Sequence, residues 1–402
     1  MSDPMVSQKL EQVPAILDEI GIDLWLLYAR ESHTVHDPCF DLVVGTNITW
    51  ESAFLLTRKG DRIALVGSLD AANIRAHGHY PEVVGYGNGV RDDLRKIISR
   101  IDPRRIAINY SLDDPMADGL THGMFLSLTR ALEGTPYAAR LESSEAIVAA
   151  LRGRKSPAER ARIAAACEVT VQIYERLTPR LRAGLTEKQV AAMILEETAR
   201  FSGLELAWEP EQCPAVFTGP ESAGAHAGPT DRRIEPGHLL NTDFGVRKDG
   251  YCSDLQRTWY ILRPGEDRAS EAVQRGFDTI VEAIERAADA LRPGVRSGDV
   301  DSIARGHITA KGYPEYPHAL GHQVGRVAHD GAGLLCPAWE RYGKLHEKPV
   351  EQGQVYTLEP RLPVPGHGVA TVEEIVAVDA DGCTFLSKPQ KKLWIVGEAA
   401  DA

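Results

Sequence analysis

Apolar residues recur at helical spacing over 8–20, and a short unbroken apolar run follows over 23–28, so the chain opens with a predicted helix and a buried strand. The stretches 53–57 and 62–66 flank Arg-Lys-Gly-Asp at 58–61 like the arms of a hairpin. Helical spacing returns over 91–101, ahead of the strand-like 106–109. This alternation predicts an α/β domain over residues 1–153. The pattern then changes. Ser156 is placed to cap a helix that has Pro157 at its first position and Glu159 three residues after the cap. Amphipathic spacing continues over 157–180 and 186–201, interrupted at 182–185. From 238 to 262 the period shortens to that of strands, two helical stretches follow, and the β pattern resumes over 354–378. A second domain is therefore expected over 154–402, with no internal repeat.

A chain of 402 residues has room for two cores. Its 43% apolar and 25% charged residues are ordinary for globular proteins, and no apolar run is long enough to span a bilayer, so no membrane partner is expected. The N-terminal residues lack the basic start and apolar stretch of an export signal, and the six cysteines are scattered without a CxxC pair; both point to a cytoplasmic protein with reduced thiols. A formal net charge of -12 repels phosphate backbones, which argues against nucleic acid and leaves small peptides or metabolites as partners.

The candidate chemistry lies in the second half. Asp243 and Asp254 bracket Asp249-Gly250, a hairpin signal that would bring the two carboxylates to neighbouring antiparallel strands. Three of the thirteen histidines, His318, His322 and His329, fall within twelve positions. His318 and His322 have the i, i+4 spacing of helical zinc ligands, but Gly321 and Gly325 oppose a helix, and a bent extended segment is expected instead. Pro360 biases Glu359 toward an extended backbone at a strand end. Strand alternation turns Glu373 and Ile375 to one face and Glu374 to the other, so Glu373 requires compensation. Four carboxylates and one imidazole, Asp243, Asp254, His322, Glu359 and Glu373, form a set suited to a pair of divalent cations and hence to hydrolysis.

At these motifs the chain resembles the pita-bread-fold metallopeptidases, the group that includes aminopeptidase P, prolidase and methionine aminopeptidase. Asp-Phe-Gly at 243–245, Gly-Tyr-Cys-Ser-Asp at 250–254, His-Ala-Leu-Gly-His at 318–322, Thr-Leu-Glu-Pro at 357–360 and Val-Glu-Glu at 372–374 match the five ligand motifs in order. All five ligand positions are filled, unlike in the metal-free creatinases of this fold. The resemblance implies a creatinase-type N-terminal domain, a catalytic pita-bread domain, a homodimer and two metal ions bridged by Asp254 and Glu373. The oxygen-rich set favours Mn²⁺, with Co²⁺, Fe²⁺ or Zn²⁺ also able to serve. It further implies that Glu359 accepts a proton from the attacking water, that His226 and His329 serve as active-site histidines, and that His318 lines the substrate pocket. Two departures bear on the substrate. Thr371 stands where proline-specific relatives usually carry Arg, so Arg361 or Arg326 is expected to supply the lost cation, and the stretch between His329 and Glu359 is longer, including 337–343. The expected activity is hydrolysis of Xaa-Pro dipeptides. Aminopeptidase P action on longer peptides, a hydrolase or lyase of small metabolites, and a non-catalytic binding role are the alternatives.

Overall fold

The computed structural model describes residues 4–221 and 228–397. The chain divides into two compact units, Met1–Arg152 and Gly153–Ala402.

The first unit is built on a six-stranded mixed sheet in the order Glu82–Tyr86, Arg62–Gly67, Ser52–Thr57, Leu24–Ala29, Ile106–Ile108, Leu141–Ser143. Every residue of Leu24–Ala29 is buried because both faces of the sheet are covered. Trp25 and Leu27 face one core with the helix Pro4–Ile20, while Leu24, Leu26 and Tyr28 face the other with Arg91–Ile101 and His122–Leu132. Period-2 alternation thus separates two apolar layers here instead of core from solvent, which is why the strand reads as an unbroken apolar run. The anticipated hairpin is present, with Ser52–Thr57 antiparallel to Arg62–Gly67.

In the second unit the helix Pro157–Leu177 starts at a full capping box: the Ser156 amide donates to Glu159 Oε2 at 2.7 Å, and the Glu159 amide to Ser156 Oγ at 3.3 Å. Two donors that a helix start leaves unpaired are thereby satisfied. Glu187–Thr198 begins with the same device, from Thr186 and Gln189. The helix Glu271–Ala290 buries Val273, Phe277, Ile280, Ile284 and Ala287, one stripe at helical spacing, against Leu362, Val364, Ala370 and Val372 of the segment 361–372, which runs from the end of the fourth motif into the fifth. Truncating the fully buried Phe277 to Ala would cost about 3–5 kcal/mol. A four-stranded sheet orders Trp394–Val396, Leu255–Ile261, Leu239–Phe244 and Ala215–Thr218, and a three-stranded one Val355–Leu358, Glu374–Val378 and Cys383–Phe385. Among the described residues, no helix is long and apolar enough to cross a membrane.

Candidate functional site

The anticipated turn forms: Val246–Lys248 and Tyr251–Cys252 pair antiparallel, and Asp249 and Gly250 both adopt left-handed φ, 50° and 79°. Chain packing here is tight, since a Cβ on Gly245 would lie 2.0 Å from the Ser253 carbonyl oxygen. Asp243 lies near the end of Leu239–Phe244, directly opposite Gln256 in register, and Asp254 immediately precedes the strand Leu255–Ile261. The two carboxylates are therefore diagonal neighbours on one face.

His322 sits on the two-residue strand Gly321–His322, and the histidine-rich segment is extended and bent, as the glycines required. Gly321 admits no side chain, because a Cβ would approach the Thr357 carbonyl oxygen to 1.8 Å. This close approach brings His322 to the strand Val355–Leu358, which Glu359 directly follows. His322 Nδ1 lies 3.2 Å from the Gln323 carbonyl oxygen, so Nδ1 carries the proton and Nε2 keeps its lone pair. That Nε2 is 3.6 Å from Asp254 Oδ2, 3.5 Å from Glu359 Oε1 and 4.0 Å from Glu373 Oε1. Asp254, His322 and Glu373 each offer an atom within 4.8 Å of the others.

Burial pushes the Asp243 carboxyl up to about 7, against a contact with Asp254 that pulls it down. Asp254 is raised well above the carboxylate range by burial and by repulsion from Glu373 and Asp243. Glu359 is raised by burial and by the two aspartates, and Glu373 by burial, Glu359 and Asp243. Among the described residues, Asp243 Oδ1 is buried without a hydrogen-bond partner. An acceptor desolvated in this way costs about 1–3 kcal/mol, and a cation is the partner that satisfies it while cancelling the repulsion among all four acids. The donor set fits divalent metal.

Around the cluster is a cavity of about 330 Å³, lined among others by Trp208, Gln256, His318, His329, Tyr342 and Arg361. The His329 ring lies 4.0 Å from that of His322, at 37°. Arg361 is partly buried, and desolvation lowers its pKa against the pull of Glu359. Arg326, by contrast, has its guanidinium over the Tyr251 ring and does not line the cavity. His226 lies outside the described residues. A wider hollow of about 650 Å³ in the first unit is bordered by surface ion pairs such as Arg58–Asp23 and Arg100–Glu82, a solvated rim with none of this chemistry.

The outer wall is held by Arg305. Its guanidinium pairs with Asp301 at 2.8 Å, donates to the carbonyls of Tyr316 and His318 at 2.7 and 2.8 Å, and lies over the rings of Tyr316 and Trp339. Tyr342 accepts from the Ala319 amide at 3.0 Å, and Arg341 donates to the Pro317 carbonyl. The long stretch flagged in the sequence is thus fastened to the segment that carries His318.

Sequence reasoning passed over Gln256 and Arg257, and gave Glu374 a face of its strand but no partner. Arg257 and Glu374 form an ion pair in which both side chains are 1% exposed. A Gln and an Arg within Leu255–Ile261 were the available signal, since such residues are seldom fully buried unless partnered.

Comparison with known proteins places this geometry in context. Residues 161–380 match the family model described as metallopeptidase family M24. An uncharacterised peptidase of Staphylococcus saprophyticus is 28% identical over 340 residues, which cover 84% of this chain and 88% of that protein. A Xaa-Pro dipeptidase of Pyrococcus furiosus is 30% identical over 248 residues, 61% of this chain and 66% of that protein. The solved structure of a Xaa-Pro dipeptidase from Bacillus anthracis superposes with a TM-score of 0.74 at 22% identity, covering 97% of this chain and 100% of that one, a likeness of fold.

Proposed function

Because this chain belongs to metallopeptidase family M24, we propose that it is a dinuclear exopeptidase that hydrolyses the Xaa-Pro bond of dipeptides, with residues 154–402 as its catalytic domain and 1–153 as a creatinase-like accessory domain. In this reading Asp243, Asp254, His322, Glu359 and Glu373 would hold two divalent ions, Mn²⁺ by preference for an oxygen-rich set. Bound divalent cations supply Lewis acidity, acidifying water and polarising the scissile carbonyl. Glu359 takes the proton of the attacking water and passes it to the proline nitrogen as the C–N bond breaks. His329, beside His322, donates to the carbonyl oxygen as negative charge develops there. His318 forms a side wall, and His226 is assigned to the same pocket from the resemblance. The resemblance also extends the proposal to a cytoplasmic homodimer.

One observation carries the choice of substrate. Arg361 is the direct cross-strand partner of Thr371, the position where proline-specific relatives usually carry Arg. Cross-strand neighbours lie about 5 Å apart at Cβ, so a guanidinium from 361 reaches the space that one from 371 would occupy. The Arg361 side chain makes no hydrogen bond or ion pair among the described residues, and it lines a cavity of about 330 Å³, near the small end for ligand sites. A free carboxylate after proline would pair with it. Arg361→Leu should raise KM for Xaa-Pro dipeptides at least tenfold, about 1.4 kcal/mol, and leave KM for Xaa-Pro-Yaa tripeptides within about twofold. Equal effects on both substrates, with tripeptides cleaved at least as well by the wild type, would replace this reading with aminopeptidase action on longer peptides.

A further inference from the structure

The side chain of Gln256 points into the acid cluster from two residues beyond Asp254, and it is 5% exposed. Its Nε2 lies 2.9 Å from Glu373 Oε2 and 3.4 Å from Glu359 Oε2. On the other side of the amide, Thr371 Oγ1 lies 3.1 Å from Gln256 Oε1 and 3.2 Å from the Pro360 carbonyl oxygen. The backbone adds a further tie, since the Glu373 amide donates to the Gln256 carbonyl at 3.2 Å.

Chemistry fixes the orientation of that amide. As metal ligands Glu359 and Glu373 are ionised and only accept hydrogen bonds, so the NH₂ faces them, and the amide oxygen faces the Thr371 hydroxyl, which can donate to it. Were the amide reversed, its oxygen would confront two carboxylates and its NH₂ would compete with the hydroxyl.

We propose that Gln256, held by Thr371, is a positioning residue that fixes the Glu359 and Glu373 carboxylates relative to each other for metal binding. This rests on the ligand assignment given above. A neutral donor serves here where a cation would compete with the metals for the same oxygens. The amide engages Oε2 of both glutamates, while Oε1 of both is turned toward His322 Nε2. Thr371 is thus more than a lost arginine: its hydroxyl decides which end of the Gln256 amide meets the acids, and the substrate-facing cation sits across the strand pair at Arg361.

The test measures metal binding directly, by calorimetric titration of the metal-free full-length protein with Mn²⁺, for wild type, Gln256→Ala, Thr371→Val, Thr371→Ser and Glu373→Gln. Loss of a group that orients metal ligands typically costs about 10–100-fold in affinity. Gln256→Ala and Thr371→Val should each show such a loss. Thr371→Ser, which keeps the hydroxyl, should bind within about threefold of wild type, and the double variant Gln256→Ala/Thr371→Val should be no worse than Gln256→Ala alone, as expected for residues acting through one contact. Thr371→Val and Thr371→Ser differ from wild type by single groups, so this pair decides the matter even if Gln256→Ala fails to fold. Equal affinities for Thr371→Val and Thr371→Ser, or additive losses in the double variant, would overturn the proposal. If Glu373→Gln loses metal while Gln256→Ala binds normally, the positioning role falls and the ligand assignment stands; if Glu373→Gln itself binds like wild type, both fall.

Discussion

Arg257→Met should destabilise the protein more at alkaline than at acidic pH. Arg257 and Glu374 approach to 3.1 Å in a site closed to solvent, and the guanidinium also donates to the carbonyls of Gln256 and Glu373 at 2.9 Å and of Lys388 at 3.0 Å. Methionine fills much of the arginine volume, so the loss is chiefly electrostatic. Glu374 keeps the Ser387 hydroxyl and the Gln390 amide as donors, but it loses its counter-charge, and three carbonyl oxygens lose a partner. Breaking a buried pair from one side costs about 3–5 kcal/mol, and at about 2–4 °C per kcal/mol for a domain of this size the Tm should fall by roughly 6–20 °C. The pH dependence follows from Glu374, whose pKa burial raises and Arg257 lowers. Without the arginine, the folded carboxyl holds a proton that the unfolded chain has already released. The folded state then binds more protons than the unfolded one above the ordinary carboxylate range, so stability declines as pH rises, and the deficit should be larger at about pH 8 than at about pH 5. Thermal melts followed by circular dichroism at the two pH values provide the assay, and Arg257→Met/Glu374→Gln, which removes both charges, should recover most of the loss. A single variant that melts within about 2 °C of wild type at both pH values, or a deficit indifferent to pH and to the second substitution, would refute the electrostatic account.

Two further outcomes follow from the acid cluster and its neighbours. Stripping divalent cations with a chelator should leave a protein whose stability falls as pH rises from about 4 to about 7: burial lifts Asp243 to about 7 and raises its three neighbours, so the folded state retains protons that the unfolded chain releases near pH 4. Restoring Mn²⁺ should flatten that slope, and a metal-free Tm that climbs over the same window would contradict the reasoning. His329→Ala should lower kcat by about 100-fold with metal content unchanged, which steady-state kinetics and elemental analysis of the same preparation can check.

Much of this was readable in the sequence where one local cause dominates. The helix Arg91–Ile101 follows from apolar spacing, the capping box at Ser156 from three residues, and the turn at Asp249-Gly250 from two residues tolerant of positive φ. The candidate ligands stood out because acids and histidines occur there between glycines and apolar runs. Pairing across distant segments was not readable. That Arg361 faces Thr371 is a matter of strand register, and that Gln256 and Arg257 are both enclosed depends on layers covering both sides of Leu255–Ile261. Alternation assigns one side of a strand to solvent by default, and this strand has no such side. The partner of Glu374 was hidden for the same reason, since Arg257 lies more than a hundred residues earlier in the chain.

The fastening of the outer wall constrains how this enzyme could diverge. Tyr342 borders the cavity yet is bonded to the Ala319 amide, and Arg305 grips Trp339 and the His318 carbonyl at once. Any change in the length of 337–343 that widens the entrance must also move the backbone on which His318 stands, and through Gly321 and His322 the strain reaches the acids. For the proposed reaction, breadth of substrate and speed of turnover should therefore change together. Variants selected for bulkier substrates should first lose rate, and regain it through second changes at Arg305, Trp339 or Tyr342 more often than at the acids themselves.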